Sequence, residues 1–201
     1  MLWSFVLASI LIELTPGPNM TWLAVLGASR GRATALAAVA GIALGLAAAA
    51  VVAGLGLAAI LQASPFLFDV LRWTGTLYLL YLAWDAWQDS NAELTHTDAT
   101  RTAAFRQGLI SNILNPKAYL FYAAVLPQFI SGGMPLAAEI ALLSAVFVAI
   151  ATTIHGGIAI LSGSLATFLS TSPHAMTIRR VLALLIASAA IWFFVSTKVQ
   201  L

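Results

Sequence analysis

The sequence predicts an all-α, polytopic membrane protein: six transmembrane helices forming two inverted three-helix repeats, with helices one and four broken at proline motifs. Three observations predict it. Of 201 residues, 61% are hydrophobic and only 8% charged, against about 25% charged in a soluble domain. No Asp, Glu, Lys or Arg occurs from Ala33 to Phe68 or from Ile140 to Ile178, and each run exceeds the roughly 20 apolar residues that cross a bilayer. Finally, a weak internal repeat at an offset of 100 residues places a proline near the centre of two apolar segments.

The apolar segments fall at 2–27, 36–62, 66–88, 107–130, 136–163 and 178–198, punctuated by Gly31, Ser64-Pro65, Gly132-Gly133 and Ser172-Pro173. The first has no Lys or Arg before it and contains Glu13. A cleaved signal peptide looks different, so it reads as a retained first span. The one long polar stretch, 88–106, reads as a solvated cytoplasmic loop. The whole chain, 1–201, is then a single transmembrane domain with repeat one at about 1–90 and repeat two at about 105–201.

Basic residues set the orientation. Arg30, Arg32, Arg101, Arg106, Arg179 and Arg180 fall on one side of a six-span chain, and Arg72 and Lys198 on the other. The arginine-rich side is expected to be cytoplasmic, with both termini outside the cytoplasm. Tyr78, Tyr81, Trp84 and Trp87 recur at helical spacing in segment three, as packing residues and an aromatic belt at that interface.

The repeat aligns 5–26 with 105–126: Phe5, Ile10, Leu14, Pro16, Ala24, Val25 and Leu26 match Phe105, Ile110, Leu114, Pro116, Ala124, Val125 and Leu126. Three spans per copy invert the second copy relative to the first, an architecture common among secondary transporters.

The prolines mark where a site belongs. Proline removes a donor and clashes with the preceding turn, so Pro16 and Pro18 should free the carbonyls of Ile12 and Leu14, and Pro116 that of Asn112. Broken backbone is tolerated in a membrane only inside protein or against a water-filled cavity. A half-helix beginning at a break offers N–H groups and a positive dipole end to an anion, while freed carbonyls suit an ammonium. A zwitterionic amino acid carries both charges. Charged groups deep in a membrane are functional by default, and Glu13 and Lys117 sit nearest the centres of their segments. Glu13 can carry a proton or bind an amino group; Lys117 can bind a carboxylate or pair with Glu13. His155, inside segment five, is a polar residue lining the bundle or a second proton-coupling group. Gly41 and Gly45 form a GxxxG pattern suited to close packing, within the chain or in a homodimer.

Other functions are disfavoured. The chain has no cysteine, which removes disulfides, thiol redox chemistry and cysteine metal sites. No HExxH helix, aspartate pair or Ser–His arrangement supports a membrane-embedded enzyme, and no pattern calls for a cofactor or metal. The net charge of +2 comes from arginines at segment ends rather than a nucleic-acid patch. The remaining alternative is a structural or sensory partner protein without transport activity.

At TPGPN (15–19) followed by SRGR (29–32), and at FRQGLISNILNPKAYLFYAAVLPQF (105–129), the chain resembles the LysE/RhtB family of amino-acid exporters. The resemblance covers nearly the whole chain. It implies a multi-pass bacterial inner-membrane secondary transporter that exports amino acids or close derivatives by proton antiport and alternating access. It also implies that Pro16, Gly17, Pro18, Asn19, Asn115, Pro116 and Lys117 form the functional core, read here as substrate-binding; Glu13 and His155 are the proton-coupling candidates from the residues themselves. The chain departs from the family pattern at Ala83 and Asp85, where a glycine and a basic residue are usual.

Overall fold

The computed structural model describes residues 2–54, 64–88, 98–166 and 172–197, with the side chains of Asp98, Ala99 and Arg179 set aside. Its elements are α1 (Leu2–Leu14), α2 (Pro18–Arg30), α3 (Arg32–Gly54), α4 (Pro65–Gln88), α5 (Asp98–Ile113), α6 (Pro116–Leu120), a π-helical turn (Phe121–Val125), a 3-10 turn (Leu126–Phe129), α7 (Leu136–Gly163) and α8 (Ala175–Ser196). The described residues contain no strand.

Among the described residues, three helices are long and apolar enough to cross a membrane: α3, α7 and α8, with 23, 28 and 22 residues. Segment one does not form one such helix. At about 1.5 Å per residue, the 13-residue α1 and the 13-residue α2 each reach about 20 Å, short of the roughly 30 Å hydrocarbon core. Segment four is divided in the same way. Large apolar side chains cover the outside, among them Trp3, Phe66 and Leu161, each more than 70% exposed. That surface suits lipid rather than water.

The polar stretch 88–106 differs from expectation. Residues 89–97 lie outside the described part, but α5 starts at Asp98 and runs through 98–106 as helix. The reason is local. Ala103 and Ala104 favour helix, and the buried Ala104 joins the core.

Packing pairs α3 with α5 and α7, α7 with α2 and α1, and α8 with α4 and α2. Glycines on α3 and α5 explain the closeness of the first pair. A Cβ added at Gly41 would lie 2.0 Å from the Phe105 carbonyl oxygen, and one at Gly108 would lie 2.3 Å from that of Ala38. The GxxxG face is thus buried against a helix of the same chain, not offered to a second copy. Gly41→Leu is expected to force α3 and α5 apart and to cost about 3 kcal/mol. Thermal unfolding in detergent micelles measures this, and stability within about 0.5 kcal/mol of wild type would contradict the packing.

The ends of the helices gather consistently. Arg30 at the end of α2 meets Asp85 near the end of α4 at 3.5 Å, and Gln107 of α5 reaches the same carboxylate at 3.4 Å. Arg180 near the start of α8 stacks over Trp87. Gly163, ending α7, abuts the backbone of Arg32 at the start of α3. The opposite end holds Arg72, which pairs with Asp69 at 2.9 Å and lies over the ring of Phe194 near the end of α8. Lys198 lies outside the described residues.

Candidate functional site

Both breaks are built alike. At the first, α1 ends at Leu14, Gly17 caps α2 in an extended conformation, and Pro18 takes the first helical position. At the second, α5 ends at Ile113, Asn115 caps α6, and Pro116 takes the first position. Proline costs nothing there, because that N–H has no helical partner anyway. The Asn115 side chain accepts the Lys117 backbone N–H at 3.1 Å, a standard N-cap. By helix start, the counterpart of Pro116 is therefore Pro18. The sequence repeat had paired it with Pro16, which lies exposed in the connection.

The freed carbonyls also differ from expectation. Ile12 and Asn112 keep partners, because the chain tightens at each break: the Thr15 N–H reaches Ile12 at 3.2 Å and the Asn115 N–H reaches Asn112 at 3.0 Å. The carbonyl that matters is Thr15's. It accepts the Lys117 ammonium at 3.2 Å, a hydrogen bond linking two breaks 102 residues apart.

Around that link lies a small cavity of about 20 Å³, partly open to solvent, lined by Glu13, Gly17, Pro18, Asn19, Asn115, Lys117 and His155 together with Met20, Leu46, Asn112 and Ala118. Pro16 and Pro116 are outside the lining; they shape the breaks rather than face the space. Glu13, 6% exposed, sits at an ion-pair distance of 3.7 Å from Nε2 of His155, which is 5% exposed. That is longer than a direct hydrogen bond, and His155 Nδ1 has no partner. Lys117 directs its ammonium to Thr15, so Glu13 and His155 form the buried acid–base pair.

Two polar residues were missed by sequence reasoning. Asn112 precedes the second break on α5 and is 2% exposed; Ser111 beside it donates to Asn19 Oδ1 at 2.6 Å. Their signal was present, as two polar residues in an otherwise apolar stretch, but attention to charges and prolines passed over uncharged side chains.

Behind the site, Phe121 stacks on Phe147 with centroids 3.6 Å apart, and the Tyr122 hydroxyl donates to the Leu46 carbonyl at 3.1 Å. Both belong to the π-helical turn. Pro127 follows it without an N–H for the helix, which accounts for the change in winding. Such turns often accompany functional sites. Among the described residues no three His, Asp or Glu side chains gather to hold a metal.

The family model described as LysE type translocator matches residues 10–197. A homoserine/homoserine lactone efflux protein of Salmonella typhimurium is 29% identical over 170 residues, covering 83% of this chain and 82% of that protein. The protein of the same description from Salmonella typhi has the same identity and coverage. An uncharacterized membrane protein of Pseudomonas aeruginosa is 34% identical over 139 residues, covering 65% of this chain and 64% of its own. No solved structure matches. The match over nearly the full length makes the chain a membrane transporter rather than an enzyme, and it belongs to the LysE type translocator family.

Proposed function

We propose that this protein is a six-span exporter that moves amino acids or close derivatives out of the cytoplasm in exchange for protons, by alternating access. The observation that carries the reading is the cavity where the breaks meet: the ammonium of Lys117 on one break bonds the Thr15 carbonyl of the other, beside the buried Glu13–His155 pair. An amino acid fits its charges. The Glu13 carboxylate and Thr15 carbonyl suit the substrate ammonium, while Lys117 and the N-terminus of α2 suit its carboxylate. Glu13 also supplies the coupling. It holds either a proton or the substrate ammonium, so one must leave before the other binds, and His155 passes the proton on.

Alternation of helix ends supports six crossings, with α1–α2 and α5–α6 each counted as one broken span. Under an inverted repeat, the contact of α1–α2 with α7 is equivalent to that of α5–α6 with α3, and both pairs pack. The arginine-rich end faces the cytoplasm of a bacterial inner membrane, and both termini lie outside it. The named efflux of homoserine and its lactone by the Salmonella relatives makes small, neutral amino acids the first substrates to try.

The test is counterflow in proteoliposomes. Vesicles loaded with unlabelled amino acids are expected to take up trace label of one or a few of them, and a proton gradient should drive that uptake uphill. Folded protein that exchanges no member of the panel would overturn the proposal.

A further inference from the structure

The cavity contains two polar groups that the charge chemistry above leaves unused. The side-chain amide nitrogens of Asn19 and Asn112 are both buried without a partner, in residues 7% and 2% exposed. Both residues line the cavity. A neighbour orients Asn19. Asn19 Oδ1 accepts from Ser111, which leaves the Asn19 NH2 as the free end. Asn112 lies against α3 where that helix has a glycine: a Cβ at Gly45 would be 2.9 Å from Asn112 Cβ and 3.2 Å from its Nδ2. The glycine makes room for the amide.

A buried donor left without an acceptor is destabilising, and an apolar side chain of the same shape would avoid that cost. Two such donors, in residues that line one cavity, are suited to an acceptor that enters it. Glu13 and Lys117 already match the two charges of an amino acid. What the amides offer is a pair of uncharged donors, and their complement is an uncharged acceptor oxygen.

We propose that Asn19 and Asn112 form a subsite for an oxygen atom on the substrate's side chain, so that the protein selects oxygen-bearing amino acids over hydrocarbon ones of similar size. The inference rests on the reading of the cavity as an amino-acid site. It assigns specificity to Asn112, a residue of neither proline motif.

Homoserine and 2-aminobutyrate differ only by a terminal hydroxyl and separate the possibilities in counterflow. Two hydrogen bonds lost predict a half-saturating concentration at least about tenfold lower for homoserine in the wild type. In Asn112→Leu the two values should come within about threefold of each other, through weaker homoserine exchange. Asn112→Ala removes the donor without adding bulk beside Gly45; it should reduce the preference likewise, and it decides the matter if the leucine variant does not fold. Both substrates weakened equally, with the wild-type ratio kept, would overturn the subsite and assign the amides to the backbone carboxylate. Equal half-saturation in the wild type would overturn it too, while leaving the exporter reading intact. Exchange of no amino acid by folded wild type would overturn the exporter reading and the subsite with it.

Discussion

Glu13→Gln is expected to abolish uphill transport. In proteoliposomes with an imposed pH gradient, accumulation should fall at least about tenfold, within the range expected for loss of an essential proton-transfer group. Glutamine preserves size but can neither take up a proton nor pair as an anion with the substrate ammonium, so coupling should fail and binding should weaken. Residual exchange should persist and become insensitive to pH. The buried position of Glu13 beside His155 makes the effect large, because the described cavity lining offers no second carboxylate. Undiminished accumulation would remove Glu13 from the coupling step.

Lys117→Ala should have the next largest effect, and its effect should depend on the substrate. Losing a charge-assisted hydrogen bond to a carboxylate costs about 1.5–3 kcal/mol, about tenfold to over a hundredfold in affinity. Homoserine carries a free carboxylate and should lose that much. Homoserine lactone has none and should be affected by only a few-fold, from loss of the Lys117–Thr15 link between the breaks. Competition in counterflow measures both. Equal losses for acid and lactone would make Lys117 a structural tie, and unchanged affinities would remove it from the site.

The spans were legible where composition alone forms them. Segment five, expected at 136–163, is α7 with the same bounds, and segment three is α4 to within a residue. The helical part of 98–106 was not legible, since a polar helix start resembles a loop until the core under Ala104 is known. The GxxxG pattern was legible as a close contact but not as to its partner, which only the position of α5 decides. The breaks were legible because proline has few reasons to sit in an apolar run. Their register was not: the repeat favoured Pro16, whereas helix starts favour Pro18, where a missing N–H costs nothing. Uncharged donors were hardest to see. Asn112 has an ordinary neighbourhood in sequence, and its role depends on Gly45 lying against it 67 positions away.

Substrate binding between the two breaks is the central claim, and the absence of cysteine from the chain allows a direct measurement. Met20 lines the cavity and is only partly buried, so Met20→Cys introduces a single thiol there. Its rate of labelling by a small charged thiol reagent would be followed with increasing homoserine. At least about fivefold slowing is expected at saturation, with half-protection at the concentration that half-saturates exchange. Labelling that continues at the same rate while the protein exchanges substrate at saturation would place the substrate elsewhere and contradict the account.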